Sequence, residues 1–158
     1  MKTLYLLRHA KSENLAPGST DLDRTLKESG KRQAQDLGGF LKQQNLKLDL
    51  VLCSTAARAR ETSEIILSSA ELPAEVHYEP AIYDAEPLSL LQLISKIRND
   101  VNTVFLVGHN PGIEDLVRLL TNRAEQISTC TLARISFDTD EWNKVAAGTG
   151  VLEQLMRP

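Results

Sequence analysis

Apolar positions along the chain fall into two kinds of run that alternate from one end to the other. Short continuous runs, Thr3 to Leu7, Leu50 to Cys53 and Thr103 to Val107, are bounded by polar residues and read as buried strands. Glu75 to Tyr78 reads as a shorter strand, and Leu132 to Phe137 alternates apolar with polar as a half-buried strand does. Between them, apolar residues recur at helical spacing. Ala34, Leu37 and Leu41 predict a helix over Lys27 to Gln44, and Thr25 with Glu28 fits a capping box at its start. Further helices are expected over Ala56 to Ser69, Pro87 to Arg98 and Gly112 to Leu120, the last with Pro111 near its N-terminus. Pro17, Gly18, Ser19 and Thr20 mark Lys11 to Asp23 as a loop. The tail predicts a short helical turn near Trp142 and an edge strand over Val151 to Leu155.

Strands alternating with helices indicate an α/β fold, a three-layer sandwich with a mostly parallel central sheet. No repeat or linker divides the 158 residues, so residues 1–158 are expected to form one domain. Hydrophobic residues at 42% and charged residues at 25% fit an ordinary globular chain. A net charge of −3 argues against nucleic-acid binding, which needs many Lys and Arg contacts to phosphates. It leaves room for an anionic substrate, because a few convergent arginines set the local potential. Cys53 and Cys130 lie among apolar or β-branched residues and read as free buried thiols. The first residues lack a signal-peptide pattern, and no apolar stretch approaches the roughly 20 residues that span a bilayer. A cytoplasmic chain without membrane contact is expected.

Ligands of open α/β sheets bind beyond the carboxyl ends of the strands. Three expected strands run into unusual polar residues there: the first into Arg8 and His9, the second into Ser54 with Arg58 one turn beyond, and the third into Gly108-His109-Asn110-Pro111. Neutral imidazole is a nucleophile at pH 7, able to attack phosphorus and hold the phosphoryl group covalently. Guanidinium offers a planar fork to two phosphate oxygens and keeps its charge when desolvated. Two such forks can stabilise charge that a metal would otherwise handle. Singly, each segment is an ordinary turn, cap or solvated helix face; at neighbouring strand ends they form one site.

With these residues in place, the sequence resembles the histidine phosphatase (phosphoglycerate mutase-like) superfamily. Leu7-Arg8-His9-Ala10-Lys11-Ser12 is similar to its Arg-His-Gly signature, and Ser54-Thr55-Ala56-Ala57-Arg58 through Thr62 to its Ser-Pro-x-x-Arg-x-x-x-Thr motif. Val107 to Pro111 resembles the second-histidine motif, and Asp23 to Leu26 with Gly30, Gln33 and Ala34 the opening of the first helix. The Arg-His-Ala-Lys start, the Gly-His-Asn-Pro form and the tail are closest to the phosphohistidine phosphatase SixA branch, so the likeness covers nearly the whole chain. The resemblance implies that His9 is phosphorylated, that Arg8 and Arg58 clamp the phosphoryl oxygens, and that His109 donates a hydrogen bond as imidazolium. Lys11 and Ser12, just past the nucleophile, are candidate substrate contacts. No metal or cofactor is implied: His9 and His109 lack a third convincing zinc ligand.

The sequence departs from the family pattern at three places. Ala10 replaces the usual glycine, Thr55 replaces proline and should loosen the turn before Arg58, and Leu26-Lys27 stands where Leu-Thr is common, which leaves Thr25 to cap the helix. Larger members of the superfamily take an acid from an insertion; here Asp84 is the candidate proton donor, with Glu86 behind it. An ester needs its leaving alkoxide protonated, whereas phosphohistidine departs as imidazole, a far better leaving group. The expected partner is therefore a phosphohistidine protein, with a small metabolite phosphoester as the alternative and a non-catalytic phosphate-binding module as a third. Oligomeric state is left open by the sequence.

Overall fold

The computed structural model describes residues 1–158. Ten regular elements follow in chain order: β1 (Lys2–Arg8), α1 (Glu28–Gln43), β2 (Leu50–Cys53), α2 (Ala57–Ala70), β3 (Glu75–Tyr78), α3 (Pro87–Ser95), β4 (Thr103–Gly108), α4 (Gly112–Thr121), β5 (Leu132–Phe137) and β6 (Gly150–Met156). Short 3-10 turns add Asp21–Asp23, Pro80–Ile82 and Trp142–Lys144. The strands form one six-stranded sheet in the order β3-β2-β4-β1-β5-β6. β3, β2, β4 and β1 pair in parallel, while β5 runs antiparallel to both of its neighbours.

The alternation of side chains along each strand makes two cores. In β1, Leu4 and Leu6 face one layer with Leu90, Ile94, Leu116 and Leu120, from α3 and α4. Tyr5 and Leu7 face the other with Ala34, Leu37, Leu41 and Ile66, from α1 and α2. Helices on both faces make the three layers, and each fully buried Leu or Ile stabilises the sandwich by about 1.5–3 kcal/mol relative to exposure.

Three local expectations change. The capping box of Thr25 and Glu28 does not form: Lys27 is the N-cap residue, with no side-chain cap. The start of α1 is held instead by tertiary bonds, from Leu26 N–H to Glu61 Oε1 at 3.2 Å and from Lys27 N–H to the Lys11 carbonyl at 3.0 Å. Gly30 permits this approach, since a Cβ there would sit 2.0 Å from the Lys11 oxygen. Helix α3 ends at Ser95 rather than Arg98. Strand β1 begins one residue early, at Lys2, whose ammonium is buried and donates to the Asn99 and Val101 carbonyls and to Asn102 Oδ1 at 2.7–2.9 Å.

Candidate active site

Strands β2, β4 and β1 are neighbours in the sheet, so their carboxyl ends lie side by side about 4.8 Å apart. The register pairs Arg8 with Gly108 and Cys53 with Val107. The next residues along, His9, His109 and Ser54, therefore meet on one rim. The two imidazole centroids are 5.1 Å apart.

His9 is held from several directions. Its N–H bonds the Gly108 carbonyl at 3.1 Å, and its own carbonyl accepts from Cys130 N–H at 3.1 Å. The Ala10 amide donates to Thr62 Oγ1 at 3.0 Å, and that hydroxyl donates to the Arg58 carbonyl. This chain of bonds ties the loop after β1 to α2. His9 Nδ1 lies 2.8 Å from the Ala10 carbonyl, which can only accept, so Nδ1 carries the proton and Nε2 the lone pair. Burial pushes the imidazole down to about 4, with the Arg58, Arg8 and Arg24 charges acting the same way against the Ala10 bond. At neutral pH His9 is an uncharged, oriented base.

The arginines flank it. Arg8 reaches the Ile127 carbonyl through Nη1 at 3.1 Å, and that carbonyl also accepts from Asn110 Nδ2 at 2.8 Å. Glu114 completes this corner by accepting from Asn110 Nδ2 and Ile127 N–H. Arg58 is buried and directs Nη1 to the Asp21 carbonyl at 2.8 Å and Nη2 to the Asp21 carboxylate at 3.0 Å. The Nε atoms of both arginines are buried and have no protein partner.

His109 sits against Ser54, with Nε2 2.8 Å from Oγ, while its Nδ1 is also buried without a partner. Burial first, then the charges of His9, Arg58 and Arg8, push it down to about 3. The expectation of an imidazolium is thus corrected for the free protein: His109 is neutral, because a second cation would be desolvated among two guanidinium groups.

A model of the histidine phosphatase superfamily (branch 1) matches residues 4–84, just over half of the chain. An uncharacterised protein of Mycobacterium tuberculosis is 36% identical over 116 residues, 73% of this chain and 70% of the relative. The chain belongs to the histidine phosphatase superfamily. Two solved structures assigned as phosphohistidine phosphatase SixA carry the same fold over nearly their whole length. That from Nakamurella multipartitia has a TM-score of 0.87 at 27% identity, covering 99% of this chain and 96% of its own. That from Agrobacterium tumefaciens has 0.86 at 29% identity, covering 99% and 98%. The architecture is phosphoglycerate mutase-like, and the likeness is to the SixA branch of the histidine phosphatases.

Sequence reasoning about this histidine phosphatase missed Asp21. Its carboxylate accepts from the Tyr83 hydroxyl, from Arg24 Nη1 at 2.9 Å and from Arg58. Those contacts, the Tyr83 hydroxyl first, hold it well below the usual carboxylate range. Tyr83 itself packs edge-on against His109 with centroids 5.5 Å apart, and the Arg58 guanidinium lies 6.0 Å from its ring centroid. The only local signal was an acidic residue followed three positions later by arginine, common on any surface.

The remaining candidates lie outside the buried rim. Asp84 is exposed, with a left-handed backbone (φ 53°), and lines a cleft of about 430 Å³ together with Glu86, Asn110, Asp115 and His109. Lys11 is exposed, and its amide donates to Gln33 Oε1. Ser12 Oγ accepts from Arg24 Nη2 at 3.0 Å, which joins it to the Asp21 cluster. In the turn before Arg58, where Thr55 stands, Ser54 Oγ accepts from the Ala56 amide at 3.2 Å. A larger cavity, about 740 Å³ between α1 and β6, contains none of the four core residues. Both cysteines are free and buried, and burial pushes their thiols up to about 12. No helix is long and apolar enough to cross a membrane.

Proposed function

We propose that this chain is a phosphatase that works without metal or cofactor, carrying phosphate covalently on Nε2 of His9, with protein phosphohistidine as its favoured substrate. The observation that carries the reading is a buried neutral His9, with its lone pair on Nε2 and the His109 ring 5.1 Å away, on the rim that Arg8 and Arg58 charge; Arg8 Nε, Arg58 Nε and His109 Nδ1 are buried without protein partners. In the first step Nε2 bonds to phosphorus as the bond to the leaving group breaks. In the second, water attacks the phosphohistidine, inorganic phosphate departs, and Nε2 recovers its lone pair. Arg8 and Arg58 meet the charge on the phosphoryl oxygens in both steps.

The substrate preference rests on the leaving group and on the rim. Asp84 lies on an exposed loop beside His109, where it can protonate a departing alkoxide only if the substrate brings that oxygen to it. An imidazole leaving group makes less demand on such an acid. Structural likeness to proteins assigned as SixA supports the same preference. The cleft of about 430 Å³ beside His109 is the observation that favours the second reading, a small phosphoester whose leaving group enters it.

The test is hydrolysis in the presence of a chelator. Purified protein is offered p-nitrophenyl phosphate, a phosphorylated histidine-containing phosphotransfer protein and a panel of sugar phosphates, beside His9→Ala. Preference for the phosphoprotein is expected. Preference for a sugar phosphate would favour the small-molecule reading, and binding without turnover on every substrate would make the chain a phosphate-binding module.

A further inference from the structure

We propose that Ser54 fixes the proton of His109 on Nδ1, so that this imidazole presents an N–H to the phosphoryl group while uncharged. The inference deepens the phosphatase reading and rests on it for the identity of the anion. Ser54 follows the last residue of β2 and is fully buried. Its Oγ has two polar neighbours, the Ala56 amide at 3.2 Å and His109 Nε2 at 2.8 Å. An amide can only donate, so Oγ accepts there, and the hydroxyl proton has one destination: a lone pair on Nε2.

The opposite assignment fails on two counts. An N–H on Nε2 would give Oγ two donors and strand the hydroxyl proton in a buried position. It would also leave His109 with no free N–H to offer a phosphoryl group, since its unpartnered Nδ1 could then only accept. With the proton on Nδ1, every polar group of Ser54 is used, and the buried atom of His109 left without a protein partner is a donor.

The two imidazoles of the rim then share one tautomer and use it in opposite ways. In His9, the Ala10 carbonyl takes the Nδ1 proton and leaves the Nε2 lone pair free for phosphorus. In His109, the Ser54 hydroxyl takes up the Nε2 lone pair and leaves Nδ1–H free for an oxygen. One ring is made a nucleophile and its neighbour a hydrogen-bond donor, with no added positive charge between two arginines. That economy matters because burial and the surrounding cations hold His109 neutral down to about pH 3. Ser54 touches no substrate in this scheme; it is a positioning residue.

Nitrogen-15 NMR of histidine-labelled protein at neutral pH tests the assignment directly. Wild type should show a protonated Nδ1 and an unprotonated Nε2 on His109, and inorganic phosphate should shift the Nδ1 signal. Ser54→Ala should lose the fixed tautomer and Ser54→Thr should keep it. On p-nitrophenyl phosphate, Ser54→Ala should lose about tenfold in kcat, less than the removal of a donor outright, because the proton can still migrate. Ser54→Thr, which keeps the hydroxyl, should restore the rate. A wild-type His109 protonated on Nε2, or a Ser54→Ala protein that keeps the wild-type His109 tautomer, would overturn the proposal. Wild type that hydrolyses no substrate yet shows the stated tautomers would sink the phosphatase reading and leave the Ser54–His109 assignment standing.

Discussion

The strand-end rim and the loops that border it are built on opposite terms. His9, Ser54 and His109 follow directly from paired strands, and backbone bonds to Gly108, Val107 and Cys130 fix His9 and Ser54. Burial in that frame strips charge from both imidazoles. Asp21 and Arg24 lie in the loop between β1 and α1, partly exposed, and there the carboxylate stays ionised because partners surround it. Asp84 lies on a second, exposed loop beyond β3. The groups assigned to bond formation are thus held by a ladder of backbone bonds, while the groups at the edge depend on side-chain charge. Only the first arrangement tolerates little displacement, since covalent attack needs near-contact geometry.

Substitutions sharpen this contrast. His9→Ala should abolish turnover, by at least about 10⁴-fold, measured on p-nitrophenyl phosphate, because no other group can carry the phosphoryl. Arg58→Lys should cost about 10²–10³-fold in kcat at similar folding stability, since an ammonium lacks the fork that serves Asp21 and the anion together. A kcat within a fewfold of wild type would show that Arg58 acts as charge alone.

The pH profile separates rim from loop without mutation. With His9 at about 4, the acid limb of kcat/KM should fall near pH 4 rather than near the 6.5 of a solvated imidazole. A limb near 6.5 would mean that the nucleophile is not desolvated as described. Asp84→Ala should cost about tenfold on an ester and less on a phosphoramidate; equal losses would remove the leaving-group argument.

The smallest effect belongs to Asp21. Its folded value is depressed, so its stabilising contribution is full above the unfolded value of about 4 and is lost as pH falls below it. Its side chain is 42% exposed, so that contribution is modest, under about 1 kcal/mol. The difference in urea midpoint between wild type and Asp21→Asn should shrink on going from about pH 6 to about pH 3. A constant difference would place the role of Asp21 in packing rather than charge.

The strands and helices were legible because burial on two faces writes itself as short apolar runs and three-to-four spacing. Arg8, His9, Arg58 and His109 were legible because Arg8 ends a strand, His9 and His109 directly follow one, and Arg58 lies in the first turn of the helix after β2. Three things were not. The start of α1 resembled a capping box at Thr25, yet contacts from Lys11 and Glu61 hold it, and those partners lie 16 and 35 residues from the amides they bond. The uncharged state of His109 in the free protein carried no local mark, because its causes are burial and charges on residues 8, 9, 21 and 58. Asp21 and Tyr83 carry no local mark at all; they are 62 residues apart and meet over Arg58.

Sequence alone therefore determined which residue types stand at which strand ends, since that depends on short-range periodicity and on the chemistry of His and Arg. Tertiary structure decided which way each imidazole carries its proton, which carboxylate faces Arg58, and how far burial moves the titrations. Those properties depend on distances between groups brought together by strand order and register, and no local pattern of residues encodes them.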